Sequence, residues 1–211
     1  MYKRQAQELF IEAEQGPLQA EFQRGQPRLP TMIMCHPHPL YGGSMHDAVL
    51  DSAAASAQSV GLGWLSFNFR GVGSSAGKHI PNATVPAETA DLTAILNWLT
   101  DNTAHAQFIT LGYSFGAYVI CHCAEHPNVQ RRILVAPPNA AMHCPINAST
   151  TPTDIIYGSA DDYVNPTAFP TVGNISAHKL TAADHFFGGQ YDALQATLEH
   201  ILTADNLGKR D

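Results

Sequence analysis

Gly112-Tyr113-Ser114-Phe115-Gly116 stands between a short apolar run, Phe108-Ile109-Thr110-Leu111, and a stretch from Phe115 to Glu125 that can be helical. Strand, G-x-S-x-G, helix is the setting of a nucleophile elbow, and it leaves few folds open. The turn is sharp and strained. Its central serine takes a backbone conformation that ordinary residues avoid, and the flanking glycines are needed because a Cβ there would collide with the neighbouring strand or helix. The serine is lifted clear of the sheet edge at a helix N-terminus, where backbone N–H groups can stabilise a developing oxyanion.

The remaining pattern supplies the sheet that such a turn requires. Glu8 to Ala13 and Leu18 to Phe22 flank Gln15-Gly16-Pro17 and predict an N-terminal hairpin. Thr31 to Cys35 reads as a short buried strand, stopped by Pro37 and Pro39. An alanine-rich helix is expected from His46 to Val60, ended by Gly61 and Gly63, and a strand from Trp64 to Phe69. Pro86 to Leu99 reads as a helix, with Pro86 in its first turn and Leu92, Ile95, Leu96 and Leu99 at helical spacing. Arg132 to Ala136, Asp154 to Tyr157 and Ile175 to Leu180 are further strands, and Tyr191 to Leu202 is a terminal helix. Short apolar strands alternating with helices mean βαβ units, an α/β class and a mainly parallel sheet. At 211 residues the whole chain, 1–211, is expected to be one domain. The stretch between Pro137 and Pro152 is too short for a large cap, which predicts an open site.

Composition narrows the partners. A formal net charge of -7 argues against nucleic acid and against an anionic membrane. Met1 to Glu8 carries positive charge but no apolar segment follows it, so it does not read as a secretory signal. No apolar run approaches the roughly 18 residues of a membrane helix. A cytoplasmic chain with reduced cysteines is expected, acting as a monomer or small homo-oligomer.

A serine hydroxyl needs a histidine to take its proton, and that histidine needs a carboxylate to fix its tautomer. After an elbow the chain order is acid, then histidine. Tyr157-Gly158-Ser159-Ala160-Asp161-Asp162 follows directly on a strand, where open α/β sheets place functional groups. Asp161 is favoured over its competitor Asp162 because its spacing from the strand-ending Gly158 resembles the acid loop of elbow enzymes. His185, in Ala183-Asp184-His185-Phe186-Phe187-Gly188-Gly189, follows the last strand, whereas His178 lies inside that strand and His200 in the terminal helix. One oxyanion donor would be the Phe115 N–H. The other would come from His36-Pro37-His38-Pro39-Leu40-Tyr41-Gly42-Gly43. Proline has no N–H, so His38 is the first choice and Leu40 the second. Tyr41, Tyr113 and Phe186, with Phe115 and Phe187, are candidates for substrate contact, each with core packing as the alternative role.

Other motifs read as structural. Asn68-Phe69-Arg70-Gly71-Val72-Gly73-Ser74-Ser75 lacks the Gly-Lys-Ser/Thr of a phosphate-binding loop, and Arg70 is expected to brace neighbouring loops by hydrogen bonds. His36, His38 and His46, or Cys121-His122-Cys123, are metal-ligand types. However, adjacent helical residues do not share a face, and there is no paired CxxC or HExxH. No metal and no cofactor is expected.

Taken together, CHPHPLYGGSM from Cys35, NFRGVGSS from Asn68, GYSFGAY from Gly112, VAPP from Val135, GSADDYV from Gly158 and DHFFGG from Asp184 resemble the α/β-hydrolase superfamily. More narrowly, the chain is similar to the small, lidless bacterial hydrolases related to dienelactone hydrolases. The resemblance implies a sheet of about eight strands, with Ser114, Asp161 and His185 as the triad. Dienelactone hydrolases carry cysteine in the elbow, where this chain has Ser114. Larger relatives have aspartate where this chain has Asn68, a difference read as tuning loop structure. The expectation is a serine hydrolase acting on small esters or thioesters. The rival reading is a binding or scaffolding protein that has kept the fold.

Overall fold

The computed structural model describes residues 6–81, 83–103 and 106–203; most of the segment read against a secretory signal therefore lies outside the described residues. The strands in chain order are β1 (Gln7–Ile11), β2 (Leu18–Gln23), β3 (Thr31–Cys35), β4 (Gly63–Phe67), β5 (Phe108–Tyr113), β6 (Val129–Val135), β7 (Thr153–Gly158) and β8 (Ile175–Leu180). They form one sheet in the order β1-β2-β4-β3-β5-β6-β7-β8. The first hairpin and its junction with β4 are antiparallel, and every later pairing is parallel. The helices are α1 (Ala48–Ser59), α2 (Glu88–Asn102), α3 (Phe115–His122) and α4 (Tyr191–Leu202).

Both faces of the central strands are covered, which is why β3 reads as a continuous apolar run. Met32 and Met34 point to the face packed by α1 and α4. Ile33 and Cys35 point to the face packed by α2 and α3. The parallel strands end their carboxyl termini at one edge, and the functional loops leave from there.

Boundaries differ from the sequence reading for local reasons. Helix α1 begins at Ala48, not His46, because Asp47 caps it by accepting the Val49 N–H at 2.8 Å. Helix α2 begins at Glu88, not Pro86, and opens on a tighter winding in which the Thr89 and Ala90 N–H groups bond to the Pro86 and Ala87 carbonyls. Strand β4 stops at Phe67 because the Phe69 N–H leaves the ladder for the His36 ring. Helix α3 stops at His122, where the Cys123 N–H folds back onto the Val119 and Ile120 carbonyls. No helix among the described residues is long and apolar enough to cross a membrane. All four cysteines are free thiols.

The loop after β4 is held as expected, but by a helix. Arg70 donates through Nε and Nη2 to Asp91 of α2, at 3.1 and 2.7 Å, and its N–H adds a third bond to the same carboxylate. Asn68 also has a structural role, accepting the Met45 N–H and donating to Gln19. Arg70 is 5% exposed and Asp91 is fully buried. Burial, the larger effect, lifts the Asp91 carboxyl above its ordinary value, and Arg70 pulls it down. Such a pair returns little net stability, yet breaking it leaves a buried charge alone. Asp91→Ala should therefore destabilise the chain by about 3–5 kcal/mol in urea melts, whereas replacing both partners with apolar residues of similar volume should cost far less.

Candidate active site

Strand β5 runs into α3 through Ser114, whose φ of 53° and ψ of −113° lie outside the regions that side-chain-bearing residues normally occupy. The strain is held by close packing. A Cβ on Gly116 would lie 2.1 Å from the Cys35 carbonyl oxygen, and one on Gly112 would lie 2.4 Å from the Gly116 carbonyl carbon. The Ser114 N–H donates to the Val135 carbonyl at 2.9 Å, so the side chain is left to project past the sheet edge.

The loops after β7 and β8 bring its partners. Both Asp161 carboxylate oxygens lie close to His185 Nδ1, at 3.0 and 2.9 Å, and His185 Nε2 lies 3.0 Å from Ser114 Oγ. An ionised carboxylate only accepts, so Nδ1 carries the proton and Nε2 presents its lone pair to the serine hydroxyl. The Asp161 side chain is fully buried, and Oδ1 also accepts the Tyr163 N–H at 2.9 Å. Asp162 is exposed and takes no part. His178 bonds Asp154 at 2.7 Å, near the opposite end of β7.

The loop after β3 carries the remaining polar groups. His36 is buried between two backbones: its Nδ1–H donates to the Pro37 carbonyl at 2.7 Å, and its Nε2 accepts the Phe69 N–H at 3.0 Å. Both ring nitrogens are thus committed, which leaves neither for a metal. Beyond it, the Leu40 N–H bonds the His38 ring, the Tyr41 and Gly43 N–H groups bond the His38 carbonyl, and the Gly42 N–H bonds the Pro39 carbonyl. Pro37 and Pro39 have no N–H. Leu40 is thereby spent, and His38 is the better-supported of the two donors. The Phe115 N–H sits in the first turn of α3, where a helix leaves its donors without internal partners.

The aromatic candidates separate. Tyr41 is 88% exposed, and its ring packs on His38. Phe186 is 64% exposed and stands edge-on to the His185 ring, 5.5 Å between centroids. Tyr113 is a correction: it is buried and donates its hydroxyl to the His185 carbonyl at 3.0 Å, so it positions the histidine loop rather than facing substrate. Phe187 is likewise in the core. Three residues were not anticipated. Tyr163 packs on His185 with centroids 4.7 Å apart, and His79 pairs with Glu88 at 2.7 Å beside Phe115. Tyr163 stands in the GSADDYV segment but carried no role there, and no motif flags His79 or Glu88.

No family model matches the chain. An uncharacterized protein of Rickettsia prowazekii is 29% identical over 202 residues, spanning 85% of this chain and 82% of that protein. A serine hydrolase without a lid from Xanthomonas campestris superposes with a TM-score of 0.82 at 29% identity, over 95% of this chain and 94% of its own. A serine hydrolase homologue from Coxiella burnetii does so with a TM-score of 0.80 at 29% identity, over 96% and 100%. With its eight-stranded, mainly parallel sheet, the chain has the α/β-hydrolase fold and, like these structures, no lid.

His36 makes the site region pH-sensitive. Burial holds its imidazole down at about 4, against an ordinary 6.5. The folded protein keeps it neutral while the unfolded chain takes up a proton below 6.5, so its contribution is complete above that pH and is lost as pH falls toward 4. Stability in urea should fall by roughly 2–3 kcal/mol from this group across that window. Comparing wild type with His36→Gln at pH 7.5 and 4.5 isolates the effect, since the variant lacks that slope.

Proposed function

We propose that the chain is a serine hydrolase that cleaves small carboxylic esters or thioesters through an acyl-enzyme on Ser114. The observation that supports this reading is the unbroken hydrogen-bond chain from Asp161 through His185 to Ser114 Oγ.

In this reading Oγ attacks the carbonyl carbon while His185 Nε2 takes its proton, and Asp161 stabilises the imidazolium from the Nδ1 side. The carbonyl oxygen becomes the oxyanion and is met by the N–H groups of Phe115 and His38. As the tetrahedral centre collapses, the bond to the leaving alcohol or thiol breaks and Nε2 returns its proton to that atom. Water then gives a proton to Nε2 as it attacks the acyl carbon; the bond from that carbon to Oγ breaks, Nε2 returns the proton to Oγ, and the acid leaves. The residues present complete this cycle without a metal or cofactor. Tyr163 and Phe186, which flank His185, are placed to meet the leaving group.

A fluorophosphonate probe followed by intact-mass measurement tests the reading. One adduct is expected on wild type and none on Ser114→Ala. Hydrolysis of para-nitrophenyl acetate should drop on the order of 10⁴-fold or more for Ser114→Ala or His185→Ala, and on the order of 10³–10⁴-fold for Asp161→Asn, which keeps the shape but loses the tautomer control. Folded wild type that takes no label would move the weight to a binding protein that has kept the fold.

A further inference from the structure

Beside Phe115 opens a cleft of about 220 Å³, lined chiefly by His38, Tyr41, His79, Phe115, Tyr118 and Met142. None of the residues that pack on the His185 ring lines it. In the mechanism above, the leaving atom must stand at His185 Nε2 and the carbonyl oxygen at the N–H groups of Phe115 and His38. The acyl limb is then directed away from His185, into this cleft.

The walls are largely aromatic and apolar; their polar groups are two imidazoles, Glu88 and the tyrosine hydroxyls, and both imidazoles have their outward nitrogen specified. Glu88, buried in the wall of the cleft, accepts the His79 Nδ1–H at 2.7 Å, which leaves the Nε2 of the neutral His79 ring as an acceptor. His38 Nδ1 accepts the Leu40 N–H at 3.2 Å, which leaves His38 Nε2–H as a donor. Burial, with the neighbouring His79, holds the His38 imidazole below its ordinary value, in keeping with the neutral ring. The two rings meet edge to face with centroids 5.1 Å apart. Neither Nε2 has a partner among the described residues. Behind them, Glu88 Oε2 is also buried without a hydrogen bond among the described residues. A half-satisfied buried carboxylate costs stability, yet it fixes the orientation of His79.

An acceptor and a donor side by side match a group that is both. A carboxylate can only accept, and it would face the negative charge of Glu88. An ammonium can only donate. A hydroxyl does both. We propose that the cleft is the acyl subsite and selects an aromatic acyl limb bearing a hydroxyl, which donates to His79 Nε2 and accepts from His38 Nε2–H. The acyl assignment rests on the serine-hydrolase reading, whereas the hydroxyl recognition does not.

Two measurements test this. For turnover, kcat/KM of wild type on phenyl para-hydroxybenzoate should exceed that on phenyl benzoate by roughly tenfold, and the ratio should fall to about twofold or less in His79→Phe. The ratio is taken within each protein, so a poorly folded fraction cancels. For binding, para-hydroxybenzamide should bind Ser114→Ala protein roughly tenfold tighter than benzamide by calorimetry, a readout that needs no catalysis. Equal binding of the two amides overturns the proposal whatever the esters do, as does a preference for a para-carboxybenzoate ester over the hydroxylated one. Hydroxyl-selective binding with no ester turned over and no fluorophosphonate adduct sustains the recognition site while sinking the hydrolase reading.

Discussion

Helix α3 runs within backbone contact of strand β3, and the rest of the site depends on that approach. The Gly116 Cα faces the Cys35 carbonyl with no room for a methyl group. This contact fixes where α3 begins, and hence where Ser114 stands and where the first N–H groups of the helix point. It also brings the loop after Cys35 alongside Ser114, so that His38 and Phe115, far apart in the chain, pack ring to ring at 4.7 Å. The strain at Ser114 is therefore maintained by sheet packing on both sides. It would relax if either glycine were enlarged and the helix pushed outward.

Buried carboxylates organise what surrounds this point. Asp161, Asp91, Glu88 and Asp154 are all inside, and each has a basic partner: His185, Arg70, His79, and Arg131 with His178. None should be read as a gain in stability, because desolvation consumes most of what pairing returns. What differs among them is where the far side of the partner leads. Arg70 is consumed by Asp91 and holds a loop. His185 offers its second nitrogen to Ser114, and His79 offers its second nitrogen to an apolar cleft. The same carboxylate–imidazole unit thus serves two neighbouring positions, one aimed at a nucleophile and one at open space.

The strands were legible because apolar runs bounded by glycine and proline are hard to place anywhere else, and the elbow was legible because its glycines answer a steric demand. Chain order and strand ends restrict the candidate partners of Ser114 to a few residues, and of these Asp161 stands within hydrogen-bond reach of His185, and His185 of Ser114 Oγ. Helix ends were less legible: the caps at Asp47 and the tight turn before Glu88 depend on side-chain bonds and local winding that periodicity does not report. Tyr113 was misassigned because an aromatic residue next to a nucleophile looks the same in sequence whether its ring faces solvent or core. The alternation of β5 turns it inward, and its hydroxyl then finds the His185 carbonyl.

His79 and Glu88 were invisible for a different reason. They lie nine positions apart across a proline-containing loop, and no spacing rule links them. A glutamate in the first turn of a helix is ordinarily a solvated residue that favours the positive helix end. Here α2 is laid against the sheet with that turn facing inward, so Glu88 is carried below the surface and must find a donor. The loop through His79 supplies one. Tertiary packing, not local sequence, thereby turns a routine helix-start residue into the anchor of the His79 ring. It does so beside Phe115, the residue after Ser114, without touching the hydrogen-bond chain from Asp161 through His185 to Ser114.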